Sequence, residues 1–315
     1  MKLIIQIPCL NEEASLPKTL ASLPKHIPGV NGIEVLVIDD GSTDRTSEVA
    51  RQHGVQHVVR FTKHKGLARA FYAGLDAALK AGADIIVNTD ADGQYKGEDI
   101  PRLIQPILDG KADIVIGNRD IENVRQFSWT KKRLQRIGSW VVRNLAGSAI
   151  ADVTTGFRAY SKEAALRLNI ASDYTYTLES VIQAEHKNLA IANITISTNN
   201  VDRPSRLFKS IPQYIKRSAI TIVRVYSMFN PFSLFMRAGG GFIIFGFLIG
   251  CRFVYYYFLG DGGGKIQSLI LAAALLVIGF QLLVIGLVAD LISANRRLIE
   301  DILLRVKKVE LTMKK

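Results

Sequence analysis

Two apolar runs in the last third of this 315-residue chain set the outer limits of its architecture. Residues 238–259 and 266–292 are long and nearly uncharged, and each meets the ~20 residues a helix needs to cross bilayer hydrocarbon. No run before position 238 reaches that length. The chain therefore reads as a soluble domain over residues 1–202 and a basic amphipathic juxtamembrane segment over 203–237. A transmembrane hairpin over 238–292 and a basic tail helix over 293–315 complete it.

Charge gives the hairpin a direction. There are 40 Lys and Arg against 28 Asp and Glu, a net charge of +12, and the excess is local. Arg203, Arg206, Lys209, Lys216, Arg217, Arg224 and Arg237 precede the first run; Arg296, Arg297, Arg305, Lys307, Lys308, Lys314 and Lys315 follow the second. The loop between the runs, GDGGGK, is short and nearly neutral. The positive-inside rule then places both flanks in the cytoplasm, as in a multi-pass protein of the inner or plasma membrane. A basic collar also suits anionic lipid headgroups. With the basic residues beside the spans and no nucleic-acid motif in view, a nucleic-acid partner is not expected.

The opening MKLIIQIPCLNEE lacks the length and small-residue cleavage site of a signal peptide and reads as a first strand. Cys9 falls in that strand and Cys251 in a membrane run, so no disulfide framework is expected.

Ahead of the hairpin, short β-rich runs alternate with helical stretches. KLIIQIPCL, IEVLVIDD, VQHVVRF, ADIIVNTD and ADIVIGNR read as strands. SLPKTLASL, DRTSEVARQ, GLARAFYAGLDAALKAG and EDIPRLIQPILDG read as helices. Such alternation predicts an α/β domain with a mostly parallel sheet. Further on, SWTKKRLQRIGSWVVRNLAG reads as a basic amphipathic helix, YTLESVIQAEHKN as another helix and IANITIST as a strand. SRLFKSIPQYIKRSAITIVRVYSMF mixes cations with large apolar residues, a pattern suited to helices at a membrane interface.

Ligands of such sheets bind beyond the carboxyl ends of the strands, so the polar strand ends are the candidate site. Asp90 and Asp92, one residue apart in VNTDADGQY, can direct carboxylate oxygens at one point. A hard divalent cation takes one or two carboxylates and completes its shell with water and substrate phosphates. Solvated turn acids have the same appearance, and the convergence of the other strand ends favours the metal reading. In VIDDGSTDRT, an acid at the strand end can hydrogen-bond a base or ribose, or simply serve a turn and helix cap. In HKGLARAFYAG, Lys65, Gly66 and Arg69 open a helix, where charge and backbone N–H groups can meet a phosphate. A solvated basic face is the plainer alternative.

The set IPCLNEE, IDDGSTDRT, HKGLARAFYAG, TDADGQY, IGNR and DVTTGFRAY resembles, in order and spacing, the family 2 glycosyltransferases. The likeness is greatest to the branch that charges polyprenyl phosphates such as dolichyl or undecaprenyl phosphate, bacterial type with a C-terminal hairpin. It covers roughly residues 2–209. The resemblance implies a GT-A fold, Rossmann-like, binding a nucleotide-sugar linked to UDP or GDP and a divalent cation, Mg²⁺ or Mn²⁺. It implies donor contacts from Pro8, Leu10, Glu12, Ile38, Asp40, Lys65, Arg69, Asp90, Ala91, Arg119, Arg203 and Arg206. Metal ligation would fall to Asp90, Asp92 and Gln94, and the catalytic roles to Asp152, Arg119 and Arg203. Leu10 stands where many relatives carry tyrosine, and Tyr95 where relatives often carry histidine. The RPSRL segment is shorter than the corresponding loop of the eukaryotic enzymes.

The implied reaction is inverting transfer of a sugar to a polyprenyl phosphate at the cytoplasmic face. A phosphate monoester, with a second pKa of ~6, arrives already ionised, which lessens the need for a general base. Three rivals stand beside this reading: a processive polysaccharide synthase, a transferase using another lipid or glycan acceptor, and a non-enzymatic membrane anchor or assembly partner with a vestigial nucleotide-binding domain. No Q-x-x-R-W motif is present for the first. Homo-oligomerisation is left open.

Overall fold

The computed structural model describes residues 1–119, 153–170, 176–199, 220, 224, 226–260 and 263–313. The chain divides into two compact units, Met1–Ile222 with Leu303–Lys315, and Val223–Ile302.

In the first unit the elements run β1 (Lys2–Cys9), α1 (Leu16–Ala21), β2 (Gly32–Asp39), α2 (Thr46–Gln52), β3 (His57–Arg60), α3 (Leu67–Lys80) and β4 (Ile85–Asn88). A 3₁₀ turn (Gly97–Asp99) and α4 (Ile100–Leu108) lead to β5 (Ile114–Arg119). Further along the chain come β6 (Arg158–Ser161), α5 (Lys162–Arg167), α6 (Thr177–His186) and β7 (Ile191–Ile196). The strands form one sheet in the order β3-β2-β1-β4-β6-β5-β7. Every pairing is parallel except those of β6, which runs antiparallel to both β4 and β5.

β1 is largely apolar, with Gln6 the buried polar exception, because the sheet is covered on both sides. Leu3, Ile5 and Ile7 join a core containing Ile100, Leu103 and Ile104 of α4. Each such buried aliphatic side chain stabilises the fold by ~1.5–3 kcal/mol. On the other face α3 lies so close that a Cβ at Gly74 would come within 2.4 Å of Gln6 Oε1. α3 begins after Gly66, whose φ of 99° favours glycine.

The alternation read from sequence is present from β1 to β5, with ends shifted by at most two residues. The sequence reading did not separate β6 and α5 from the DVTTGFRAY motif. β6 is only four residues, RAYS, and its Arg158 is fully buried. Ser161 then caps α5, its Oγ accepting from the Ala164 amide at 3.1 Å. The amphipathic helix expected over SWTKKRLQRIGSWVVRNLAG lies outside the described residues, as does most of SRLFKSIPQYIKRSAITIVRVYSMF.

The second unit holds α7 (Pro231–Phe258), a 3₁₀ turn (Gly263–Lys265) and the larger part of α8 (Ile266–Met313). Both helices are long and apolar enough to cross a membrane, with mean hydropathy of 1.8 and 2.7 in their most apolar windows. α7 starts at Pro231 rather than at the apolar boundary of 238. α8 runs without a break from the second apolar run into the basic tail, so the tail is no separate helix. Neither Gly nor Pro interrupts it past Gly286, and Arg296 pairs with Glu300 one turn on at 2.8 Å. Small residues at seven-residue spacing line the contact between the two helices: Gly239 and Gly246 on one, Ala272, Gly279, Gly286 and Ser293 on the other. A Cβ at Gly239 would stand 2.8 Å from the Gly279 carbonyl oxygen. Such small residues let the backbones approach closely, which is how helices gain packing energy in lipid.

Candidate active site

Parallel pairing of β1 with β2 puts Pro8 opposite Ile38 and Cys9 opposite Asp39. The two strands therefore end together, and the loops that follow interlock. The Asn11 amide donates to Ser42 Oγ at 2.9 Å, the Glu12 amide to Thr46 Oγ1 at 2.9 Å, and the Thr43 amide to Asn11 Oδ1 at 2.8 Å. Gly41, at φ 75°, passes so near Lys63 that a Cβ would meet its backbone at 2.5 Å. Glu12 is buried and accepts a hydrogen bond from the Ser15 hydroxyl. Leu10 sits half-buried just past β1, and Pro8 and Ile38 are buried.

Asp40, just past β2, is tied to the turn that opens α3. Its Oδ1 accepts from the Lys65 amide at 2.7 Å and its Oδ2 from the Gly66 amide at 2.9 Å, while His64 Nδ1 stands 2.7 Å from Oδ2. Asp40 thus holds the turn that starts α3. Lys65 and Arg69 are exposed at that turn, the Lys65 ammonium lying 4.6 Å from the centre of the Phe61 ring.

The D-x-D turn leaves β4 beside β1. Asp90 and Asp92 are half-buried, and Asp92 Oδ1 accepts from the Gln94 amide at 3.0 Å. Ala91 is buried, its carbonyl accepting from Thr19 Oγ1 at 2.9 Å. Burial, with the neighbouring charge of Asp92, raises the Asp90 carboxyl from its usual 3.8 to about 7, against the opposing pull of Arg119. Two carboxylates that resist sharing negative charge are a fitting seat for a cation. Among the described residues no group of three or more His, Cys, Asp or Glu side chains forms a metal cage.

Arg119 ends β5, is buried, and donates to Thr154 Oγ1 at 2.9 Å. Thr154 belongs to a loop fastened by the buried Arg158, which donates to the carbonyls of Val153 at 2.8 Å, Thr155 at 2.9 Å and Thr177 at 2.9 Å, and to Ser180 Oγ at 2.8 Å. Asp152 precedes Val153 and lies outside the described residues, as do Arg203 and Arg206. Asn199 is held at the D-x-D turn, its amide donating to the Gln94 carbonyl at 2.8 Å and its Nδ2 to the Gly93 carbonyl at 3.0 Å.

The sequence reading gave no role to Asn88, Tyr95, Thr154, Gly156, Tyr176 or Asn199. Tyr95 belongs to the TDADGQY motif and Gly156 to DVTTGFRAY. Tyr176 and Asn199 come from parts of the chain that only the fold brings to this edge.

A family model described as glycosyl transferase family 2 matches residues 4–168, more than half of the chain. The chain is 36% identical over 166 residues to an undecaprenyl-phosphate mannosyltransferase of Micrococcus luteus, a match covering 51% of this chain and 66% of that one. It is 31% identical over 214 residues to a UDP-N-acetylglucosamine–dolichyl-phosphate N-acetylglucosaminyltransferase of Methanococcus voltae, covering 61% and 83%. The fold is shared with glucosyl-3-phosphoglycerate synthase of Mycobacterium tuberculosis, solved with uridine diphosphate, at a TM-score of 0.57 and 22% identity over 72% of this chain and 80% of that one. With six motifs in order, a GT-A-like sheet and the matching model, the chain belongs to glycosyl transferase family 2.

Proposed function

We propose that the protein transfers a sugar from a nucleoside-diphosphate donor to a polyprenyl phosphate at a membrane surface, with inversion at the anomeric carbon. The observation that carries this reading is one end of the sheet where Asp90 feels the charges of Asp92, Arg119 and Glu12, the last on a β1 loop interlocked with the β2 loop, in a chain that also holds two membrane-length helices. Relatives named for undecaprenyl and dolichyl phosphate support the acceptor class. Because those two move different sugars, the sugar of this protein is left to experiment.

In the reaction a phosphate oxygen of the acceptor attacks the anomeric carbon as the bond from that carbon to the nucleoside diphosphate breaks. The acceptor needs no strong base, since it arrives ionised. A divalent cation, Mg²⁺ or Mn²⁺, supplies Lewis-acid stabilisation of the leaving diphosphate when bound. Asp90 and Asp92 would hold it, with Gln94 beside them on the same turn. Arg119 adds fixed positive charge toward the phosphates. The Pro8–Glu12 and Ile38–Asp40 strand ends border the nucleotide, and Lys65 and Arg69 face its phosphates. Asn199 fastens the chain at the D-x-D turn, four positions before Arg203 in the sequence. Arg203 and Arg206 act as the closing cations, and Asp152 orients the acceptor.

The domain reading carries over in the same sense: a catalytic domain and C-terminal tail on the cytoplasmic side of two spans. The test is transfer of radiolabelled sugar from a panel of UDP- and GDP-linked donors by the full chain in detergent. Label should pass into the organic phase only when polyprenyl phosphate and a divalent cation are both present. Absence of lipid-linked label with every donor would refute the reading and favour a vestigial anchor.

A further inference from the structure

We propose that the Gly156 peptide sets the spacing between Asp90 and Arg119, with Tyr95 and Tyr176 as positioning residues that pinch it from either side. This rests on the reading of Asp90 as a cation ligand and Arg119 as a phosphate contact.

Both polar groups of Gly156 are taken by the pinch. Its amide donates to the Tyr95 hydroxyl at 3.2 Å, and its carbonyl accepts from the Tyr176 hydroxyl at 3.3 Å and from Asn88 Nδ2 at 2.8 Å. Asn88 Nδ2 also reaches the Tyr176 oxygen at 2.8 Å, and Gln6 Nε2 fixes Asn88 Oδ1 at 2.9 Å. The two rings are locked in turn. Tyr176 stacks on Phe71 at 3.8 Å and 6°, and Tyr95 stacks on Phe157 at 5.0 Å and 10°. Rings held this way fix their hydroxyls, and a buried hydroxyl left without its partner costs ~1–3 kcal/mol.

The pinched peptide lies against the D-x-D turn. A Cβ on Gly156 would stand 3.0 Å from Asp90 Oδ1 and 3.0 Å from the Tyr176 hydroxyl, so a side chain here presses on both and one of them must give by a few tenths of an ångström. Two residues earlier, the same loop offers Thr154 Oγ1 to Arg119. One short segment thus touches the carboxylate on one side and the arginine on the other. Shifting it moves both groups together. Tyr95 has a second tie, since Thr155 Oγ1 donates to its hydroxyl at 3.3 Å. Residues behind metal ligands characteristically change metal affinity or activity ~10–100-fold when altered.

The experiment titrates Mn²⁺ alone onto the full chain in detergent, with free Mn²⁺ read by electron paramagnetic resonance, and repeats the transfer assay across Mn²⁺ concentrations. Tyr95→Phe, Tyr176→Phe and Gly156→Ala are compared with Asp92→Asn, and Tyr72→Phe in α3 serves as a control. Tyr95→Phe and Tyr176→Phe should each raise the Mn²⁺ concentration for half-saturation and half-maximal transfer by ~10-fold, with Gly156→Ala at the larger end of ~10–100-fold. Tyr72→Phe should match the parent. Loss of Mn²⁺ binding in Asp92→Asn with parental binding in both Phe variants would overturn the pinch and leave the cation site standing. Parental Mn²⁺ binding in Asp92→Asn would overturn both.

Discussion

Asp90 carries the most informative electrostatics in the molecule. With its carboxyl held at about 7 rather than 3.8 by burial and by Asp92, the folded state binds this proton more tightly than the unfolded state does. The advantage is complete below the unfolded value and is lost as pH rises through about 7, so the ionised group is a cost of up to ~4 kcal/mol at pH 8. Asp90→Asn should therefore unfold at a higher temperature than the parent at pH 8 in chelator. The gap should shrink as pH falls from 7 toward 4, as differential scanning fluorimetry can follow. The same proton competes with a cation, so parental Mn²⁺ affinity should fall ~10-fold per pH unit below about 7. A flat affinity between pH 6 and 8 would contradict this. Asp92→Asn should keep the parental fold and lose ~100-fold or more in turnover, since it removes charge that anchors transition-state stabilisation. A kcat within a few-fold of the parent would remove the metal assignment.

At the scale of elements, the sequence carries the fold where periodicity is strong and loses it where function replaces periodicity. β1, β2, β4 and β5 were legible because strands buried on both faces read as continuous apolar runs. β6 was not, because a four-residue strand opening with a buried arginine has no such signature. The candidate site shows the same division. The D-x-D pair and Arg119 were legible as polar ends of apolar strands. The partnership of Tyr95, Gly156 and Tyr176 is a product of β6 threading between β4 and β5, which no local pattern announces. Asp40 was legible as a strand-end acid, but its service to the Lys65–Gly66 turn depends on a contact 25 and 26 residues away. The helical hairpin offers a direct test of how much its packing depends on small residues. A Cβ at Gly279 would meet Ile243 Cγ1 at 2.6 Å, whereas one at Gly240 meets nothing within 4 Å. Gly279→Leu should destabilise the hairpin by ~1–3 kcal/mol and Gly240→Leu should be nearly neutral, as judged by heat-induced precipitation in detergent. Equal behaviour of the two would mean the seam contributes little.

At the scale of the whole molecule, the end of α8 belongs to the same compact unit as the catalytic domain. Lys307 Nζ donates to Asn169 Oδ1 at 3.1 Å and to the Leu166 carbonyl at 3.4 Å, and lies 5.2 Å from the Tyr72 ring. Lys308 pairs with Glu163 at 3.1 Å, and Glu310 with Lys80 at 3.3 Å. The latter pairs are partly exposed and are each worth ~0–1 kcal/mol, less in high salt. Lys307→Ala should therefore lower thermal stability more than Lys308→Ala, and only the smaller effect should fade between 0.05 and 0.5 M salt, values chosen on the order of a screening length of ~14 and ~4 Å. These contacts also bear on topology. Under the proposed two-span topology, the contacts of the α8 end with the first unit require the domain and the tail to lie on one side of the membrane. Cysteines placed at the exposed positions Asp109 and Thr312 should thus share one sidedness. In intact cells neither should react with a membrane-impermeant maleimide, and both should react once the membrane is opened, as the basic flanks require of a cytoplasmic face. Labelling of one site and protection of the other in intact cells would break the link between the tail contacts and the two-span topology.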